Sequence, residues 1–198
     1  MEKKSKVIVG IDEVGRGPLA GPVAVCALCL QNNFNKNNFR NFKDSKKLSH
    51  KQRVEWLARI NAEKEKGNII YQVCFESNRV IDKKGIVFAI RRALHNSLKS
   101  LGTNPKNCVV LLDGGLRAPP KYKNQKTIIK GDEKKLAIAL ASIVAKVTRD
   151  ELMKKLAGEY SSYGLEIHKG YGTKRHIKAI KKFGLSPLHR VTFCKNCQ

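Results

Sequence analysis

The chain has 198 residues, of which 40 are Lys or Arg and 16 are Asp or Glu, so its net charge is +24. Hydrophobic residues make up 41% of the chain, which excludes a disordered basic tail and allows a buried core. No apolar run approaches the roughly 20 residues that span a bilayer, and residues 1–13 lack the pattern of a signal peptide. We therefore expect a cytoplasmic protein with no membrane association, whose charge favours polyanions, of which nucleic acid is the commonest.

Five short apolar segments bounded by turn residues predict β-strands. They are residues 7–11, 22–30, 69–75, 108–112 and 125–130. Between them, Ser49 and Gln52 have the form of a capping box that opens a helix ending near residue 65. Apolar residues also recur at steps of three and four over 87–101 and 136–147, and Asp132 is expected to be the N-cap of the latter helix.

This order of elements predicts an α/β domain with a mixed sheet over residues 1–150. The polar, glycine-interrupted stretch over 151–193 predicts a small C-terminal helical extension. Cys194 and Cys197 form a lone C-x-x-C pair, which has too few ligands for zinc, so we expect 194–198 to be a disordered tail.

Three of the predicted strands end in acidic residues. Asp12 and Glu13 follow the first strand, Asp113 the fourth and Asp132 the fifth. Functional crevices of open α/β sheets lie beyond the carboxyl ends of parallel strands, so neighbouring strands would bring these carboxylates together. Their repulsion would be offset by a hard divalent cation, and two such ions can hold the attacking and leaving oxygens of a phosphodiester. A lone Asp after a strand is more often a turn former or a helix cap, an alternative that Asp132 retains.

The segment 10–17 follows the first strand and nearly fits a phosphate-binding loop. Arg16 and Gly17 stand where that loop needs Lys and Ser or Thr, which excludes a nucleoside triphosphatase. The flexible Gly15-Arg16-Gly17 backbone can still approach a ligand closely and read a sugar hydroxyl. Asp150 competes for the fourth acidic position, but a continuous helix would place it about 27 Å from Asp132, so we expect a structural ion pair or cap there.

Six blocks, in this order, resemble the ribonuclease HII family over about residues 6–193. They are GIDEVGRGPLAGPV at 10–23, DSKKLS at 44–49, LDG at 112–114, KGD at 130–132, ASIVAKVTRD at 141–150 and HKGYGT at 168–173. The resemblance implies a ribonuclease H-like fold, with a mixed five-stranded sheet flanked by helices and a C-terminal helical extension. It implies cleavage of RNA in RNA·DNA hybrids and on the 5′ side of single ribonucleotides in duplex DNA, leaving 5′-phosphate and 3′-hydroxyl ends.

The resemblance also implies roles for individual residues. The acids that bind two Mg²⁺ or Mn²⁺ ions would be Asp12, Glu13, Asp113 and Asp132. The ribose at the junction would be read by Gly15, Arg16, Gly17 and Tyr171. Backbone phosphates would be held by Lys46, Lys47, Lys146, Thr148, Arg149 and Lys169. His168 would act on the leaving group, contact phosphate or be structural, and the protein would be a monomer.

A hypothesis from another class is a non-catalytic, basic nucleic-acid-binding protein. It explains the net charge of +24 but not the acidic residues that follow the strands. Divalent ions separate the two hypotheses, because binding to an acidic site raises the melting temperature, whereas a pure phosphate binder loses affinity as Mg²⁺ competes for the nucleic acid.

Overall fold

The computed structural model describes residues 6–40, 42 and 48–197. Its strands are β1 (Val7–Val14), β2 (Val23–Leu30), β3 (Ile69–Glu76), β4 (Cys108–Asp113) and β5 (Gln125–Ile128). They form one sheet in the order β3-β2-β1-β4-β5. The β1–β2 and β2–β3 pairs are antiparallel, and the β1–β4 and β4–β5 pairs are parallel. The predicted mixed five-stranded sheet is confirmed.

Seven α-helices lie within the described ranges. They are α1 (His50–Glu65), α2 (Asn78–Lys84), α3 (Ile86–Leu101), α4 (Gly131–Lys134), α5 (Leu136–Glu159), α6 (Leu165–His168) and α7 (Lys174–Phe183). The capping box of α1 is confirmed, because the Ser49 hydroxyl accepts from the Gln52 amide and the Gln52 side chain accepts from the Ser49 amide. None of these helices is both long enough and apolar enough to cross a bilayer.

The expected N-cap role of Asp132 is wrong. Asp132 lies inside the short helix α4, and α5 begins four residues later without a side-chain cap. The chain turns at Lys130, whose φ of 54° is left-handed, and becomes extended again at Lys135. These two backbone changes separate α4 from α5, so residues 132–150 are not one continuous helix.

Helices cover both faces of the sheet. Alternate residues of β2 point to opposite sides: Val25 and Ala27 join the core under α3, while Cys26 and Leu28 join the core under α1 and α5. On β1, a Cβ at Gly10 would lie 2.1 Å from the backbone of α5, so α5 can pack here only against glycine. This close packing also brings α5 next to Asp12, two residues further along the same face.

The C-terminal part departs from the sequence-based description in two ways. Residue 150, the expected domain boundary, lies inside α5. The prediction of a disordered tail is wrong for 194–197, because Cys194 and Cys197 are buried in a cluster with Ile180 of α7. Helix α7 has an apolar side that must be covered, and small apolar cysteines can cover it. The polar residues around the cysteines obscured this packing in the sequence.

Candidate active site

Three of the predicted acids meet at one edge of the sheet. The parallel pairing of β1 with β4 runs as far as Ile11 opposite Leu112, so the next residues, Asp12 and Asp113, follow side by side. Asp12 and Glu13 lie within β1 rather than after it, because β2 stays paired with β1 beyond the end of β4. A cavity of about 330 Å³ is lined by all three acids. Its other lining residues are Val14, Arg53, Ser142, Ile143, Lys146 and Tyr171.

The carboxyl groups in this cavity are held in an unfavourable environment for negative charge. The pKa of Asp12 is raised to about 8, mainly by burial and also by Glu13 and Asp113, against a hydrogen bond with Ser142 on α5. Burial also raises the pKa of Glu13, although the Arg16 guanidinium lies 3.5 Å from its carboxylate. The protein's own cations therefore do not fully offset the burial and mutual repulsion of these acids.

The donor set suits a hard divalent cation, since carboxylate oxygens are the protein ligands that Mg²⁺ and Mn²⁺ prefer. In the part of the chain that the structure describes, no three His, Cys, Asp or Glu side chains already enclose a metal-sized position. Mg²⁺ commonly binds through one or two carboxylates while keeping waters and taking substrate phosphates. The arrangement of Asp12, Glu13 and Asp113 fits an open metal site of this kind.

Asp132, the fourth predicted acid, is not among the residues that line this cavity. The Gly131 amide donates to the Asp113 carboxylate at 2.6 Å, so α4 begins beside the site. The Asp132 side chain is nonetheless buried and lines a separate cavity with Phe39 and Glu133. Three predicted metal ligands therefore line one cavity. The fourth, Asp132, follows Gly131, whose amide bonds to Asp113.

The Gly15-Arg16-Gly17 loop leaves β1 next to the acids. Gly15 has a φ of 89°, and a Cβ there would lie 2.3 Å from the Arg149 side chain, so packing requires glycine. A Cβ at Gly17 would meet no atom within 4 Å. Arg16 is exposed, and the open space at Gly17 leaves the backbone accessible to a ligand.

Tyr171 comes from a distant part of the chain but shares the cavity with the acids. Its side chain is partly exposed, and its ring lies 5.5 Å from the Lys146 ammonium. The carbonyl of the preceding residue, Gly170, accepts a hydrogen bond from the Leu19 amide at 2.8 Å. The segments that carry the two predicted ribose-reading elements are therefore joined directly through their backbones.

The ribonuclease HII family model matches residues 9–196. The chain belongs to the ribonuclease HII family. It is 45% identical over 189 residues to ribonuclease HII of Ruminiclostridium cellulolyticum, covering 96% of this chain and 70% of that protein. It is 43% identical over 189 residues to ribonuclease HII of Rickettsia bellii, covering 96% and 90% respectively.

Solved structures agree with this assignment. Ribonuclease H2 from Pyrococcus horikoshii superposes with a TM-score of 0.74 and 25% identity, covering 96% of this chain and all of that one. Bst-RNase HIII in complex with Mn²⁺ has a TM-score of 0.63 at 18% identity, covering 92% and 64%, which shows the shared fold. The ribonuclease H-like fold is thereby confirmed.

Membership of the ribonuclease HII family makes this protein a metal-dependent endoribonuclease with ribonuclease H activity on RNA·DNA hybrids. The hypothesis of a non-catalytic nucleic-acid-binding protein is therefore set aside. The family depends on divalent metal ions, in agreement with the oxygen donors gathered at the sheet edge.

Two buried arginines hold the ribonuclease HII loops, and sequence reasoning missed this role. Arg149 was expected to hold substrate phosphate, but it is fully buried. It donates instead to the carbonyls of Pro22 at 2.9 Å, Ala20 at 3.4 Å and Lys169 at 3.1 Å. Burial lowers the pKa of its guanidinium. Arg149 therefore ties the segment after Gly17 to the segment before Tyr171.

Arg190 is the second buried arginine. Its guanidinium donates to the carbonyls of Gly15 at 2.7 Å, Arg16 at 3.0 Å and Gly21 at 3.0 Å. Burial lowers the pKa of Arg190 to about 9, with the neighbouring Arg149 adding to the effect. The C-terminal extension thus fixes the glycine loop. A single arginine after the last α-helix is too common in sequences to have identified this role.

Three histidines of the extension form a buried group. His168 bonds the Tyr163 carbonyl through Nε2 and accepts from the Gly170 amide through Nδ1, contacts that favour the structural one of its three alternatives. His176 bonds the Tyr171 carbonyl through Nδ1, and its Nε2 lies 3.1 Å from Nε2 of His189. Burial lowers the pKa of all three, that of His176 to about 4. Neutral rings can complete this chain of bonds, so the histidines support the loop that carries Tyr171.

The predicted phosphate-binding residues differ in whether they line the cavities around the acids. Lys146 lines the acidic cavity and pairs with Asp150 at 2.9 Å, which confirms the structural ion pair expected for Asp150. Lys169 lines an adjoining cavity. Thr148 is half-buried on α5 and lines neither of these two cavities. Lys46 and Lys47 lie outside the described residues.

Proposed function

We propose that this protein cuts duplex DNA on the 5′ side of a single embedded ribonucleotide, as well as the RNA strand of hybrids, leaving 5′-phosphate and 3′-hydroxyl ends. The observation that carries the proposal is one cavity that holds Asp12, Glu13 and Asp113 together with the partly exposed ring of Tyr171. Acids suited to metal-assisted phosphodiester hydrolysis thus stand beside a group able to contact a sugar.

Asp12, Glu13 and Asp113 are the proposed ligands of two divalent ions, Mg²⁺ or Mn²⁺. When bound, such a pair supplies an activated water and stabilises the leaving oxygen. Ser142 orients Asp12 by its hydrogen bond. We include Asp132 as the fourth ligand. Support comes from the KGD block and from the Gly131 hydrogen bond that keeps α4 against Asp113.

Two elements would recognise the ribose: the Gly15–Gly17 loop and the side chain of Tyr171. The 2′-hydroxyl distinguishes RNA from DNA, so a group that senses the junction must approach the sugar. Gly17 leaves open space for that approach, and Arg149 and Arg190 keep the loop in one position. The ring of Tyr171 can pack on the neighbouring sugar, where an added hydroxyl would be disfavoured.

Basic residues around the cavity complete the proposal. Lys146 and Lys169 would hold backbone phosphates, joined by Thr148, Lys46 and Lys47. Such contacts fix the position of the duplex and carry no base-sequence information. The proposed setting is removal of ribonucleotides from DNA and clearance of hybrids in the cytoplasm, by a monomer.

The decisive experiment uses a duplex with one ribonucleotide and a second with a run of four, labelled in turn at each end. We expect the wild-type protein with Mn²⁺ to nick the first on the 5′ side of the ribonucleotide, and EDTA to abolish cutting. Asp113→Asn should lower the rate about 10³-fold, whereas Glu55→Gln, the matched loss of an exposed carboxylate on α1, should leave it unchanged. Cutting confined to the run of four would contradict the proposed recognition of a single junction.

Tyr171 can be tested separately from the metal ligands. Tyr171→Ala should reduce incision at the single ribonucleotide more than cutting within the run of four. Tyr171→Phe keeps the ring and should retain the preference if stacking dominates. Equal losses on both substrates would show that Tyr171 does not read the junction.

A further inference from the structure

A second cavity, of about 190 Å³, lies between the Gly15–Gly17 loop, α3 and the loop after β4. Three arginines line it: Arg16, Arg91 and Arg117. Its floor is apolar and is formed by Ile90, Leu94 and Leu116. Within the described part of the chain, no acidic residue contributes to its lining. The cavity therefore presents three positive charges around an apolar base.

The cavity adjoins the acidic site through two chain segments. Arg16 is three residues from Glu13, and its guanidinium lies 3.5 Å from the Glu13 carboxylate. Arg117 is four residues from Asp113, in the loop that leaves β4. Arg91 comes from α3, which packs on the sheet face opposite α5. The arginine cavity and the acidic cavity thus flank the same end of β1 and β4.

Arg91 and Arg117 differ from the other arginines near the sheet in their lack of partners. Among the described residues, neither side chain has a hydrogen-bond or ion-pair partner. The next residue on α3, Arg92, instead makes a bidentate bond to Glu76, at 2.6 and 2.5 Å. Converging cations without a partner repel one another, and an anion between them removes that repulsion.

Phosphate is the anion that fits this arrangement. A guanidinium presents a planar fork of N–H donors that matches two phosphate oxygens. The neighbouring catalytic acids act on a phosphodiester, so the phosphates available at this point belong to the substrate backbone. We propose that Arg91 and Arg117, together with Arg16, bind backbone phosphates of the duplex outside the cleavage position.

This inference rests on the proposed function and extends it, because it adds a binding region on the α3 side of the acids. Lys146 and Lys169 lie on the other side, next to Tyr171. The duplex would therefore be held on both sides of the scissile bond. Arg91 and Arg117 line no part of the acidic cavity, so they affect duplex affinity and KM rather than kcat.

The test measures binding without cleavage. Fluorescence anisotropy in EDTA with a labelled 20-base-pair duplex containing one ribonucleotide gives Kd at several salt concentrations. We compare the wild-type protein with Arg91→Gln, Arg117→Gln and the double variant. Each lost phosphate contact should reduce the slope of log K against log salt by about 0.9, so the double variant should lose about two units. Its Kd should rise roughly 10-fold or more at physiological salt.

The matched control is Lys99→Gln, which removes the same charge from an exposed position on the same helix, outside the cavity. We expect its Kd to change by less than about twofold and its salt slope to stay near that of the wild type. If the double variant behaves like Lys99→Gln, the proposed phosphate site is refuted. Arg91→Lys and Arg117→Lys keep the charge without the planar fork and should fall between the wild type and the glutamine variants.

Two further readouts separate the alternatives. In Mn²⁺ and saturating substrate, the double variant should keep kcat within about twofold while KM rises in parallel with Kd. If the wild type fails to cut, the proposed function fails, yet the binding comparison still decides whether the arginines hold the duplex. If the double variant loses affinity for inorganic phosphate, measured by calorimetry, but binds the duplex like wild type, the cavity serves a small free anion and the proposal is overturned.

Discussion

The acidic cavity and the buried arginines behind the glycine loop are both charged, yet they are stabilised in opposite ways. In the cavity, Asp12 and Glu13 have raised pKa values because burial and repulsion are not fully offset. Behind the loop, Arg149 and Arg190 are fully buried, and each guanidinium donates three hydrogen bonds to backbone carbonyls of the described chain. The protein compensates these acids only in part, through Arg16 beside Glu13, whereas the two arginines are satisfied by backbone carbonyls.

The two regions differ in how far the protein itself compensates a buried charge. The carboxylates proposed as metal ligands are poorly compensated by the protein, so a divalent cation entering the cavity would relieve their repulsion. The arginines behind the loops proposed to read the ribose are extensively hydrogen-bonded, which keeps those loops in one geometry. Substitutions in the two regions should therefore change activity and stability in different combinations.

The largest effect is expected for Asp12→Asn, which should lower activity by about 10³-fold or more while making the metal-free protein more stable. The folded protein takes up a proton at Asp12 between pH 4 and 8 that the unfolded chain does not hold. The free energy of unfolding in EDTA should therefore fall as pH rises through that range, by up to about 1.4 kcal/mol per pH unit. Urea denaturation at several pH values should show that the free energy of unfolding depends less on pH in Asp12→Asn than in the wild type.

The control for this prediction is Asp82→Asn. Asp82 accepts bonds from the amides of Val191 and Thr192 and from the Thr192 hydroxyl, so it supports the fold. We expect this variant to be less stable than the wild type and to keep metal-dependent cutting. A destabilised Asp12→Asn would remove the proposed contrast between the two regions.

Arg190→Gln should have the next largest effect, and it should lower stability rather than raise it. It removes three charge-assisted bonds to the loop, which should lower the free energy of unfolding by about 3 kcal/mol or more. The less fixed loop should reduce incision at a single ribonucleotide about 10-fold more than cutting within a run of four. Arg190→Lys restores the charge but not the three-way geometry, so it should recover only part of both properties. If Arg190→Gln keeps the wild-type substrate preference, Arg190 contributes to stability but not to recognition of the single ribonucleotide.

The buried histidines predict an acid sensitivity of the loop-supporting region. The pKa of His176 is about 4 in the folded protein, below its ordinary value of 6.5. Between these pH values the unfolded chain binds more protons, so stability is present above pH 6.5 and is lost as pH falls towards 4. His176→Asn should reduce the pH dependence of the free energy of unfolding by up to about 1.4 kcal/mol per pH unit. Urea midpoints at about pH 7.5 and 5.0 measure this change. Substitution of exposed His95 provides the control, and an equal flattening there would argue against the buried group.

The smallest change in stability is expected for Gly17→Ala. Open space surrounds its Cβ position, so the free energy of unfolding should shift by less than about 1 kcal/mol. Gly15→Ala should be much more disruptive, because its φ is positive and Arg149 occupies the Cβ position. If Gly17→Ala is stable yet slow at the single ribonucleotide, the open space is where the sugar approaches. Full activity would place the sugar elsewhere.

Much of the fold was predictable because its signals are local. Five apolar segments marked the strands, and Ser49 with Gln52 marked the start of α1. The acids on β1 and β4 could be expected to meet, since parallel neighbours end at the same edge of a sheet. Asp132 was less predictable, because its position depends on two backbone turns, at Lys130 and Lys135, that no periodic pattern reveals.

The family, the strand and helix pattern and the acids at the ends of the parallel strands could be recognised from the sequence, because each depends on residues that are close together in the chain. The folded structure was needed to show that Arg149 and Arg190 hold loops, that Cys194 is buried and that Arg91 and Arg117 line one cavity. These features depend on contacts between residues far apart in the chain. Such contacts are set by packing and by the hydrogen bonds that buried polar groups must find.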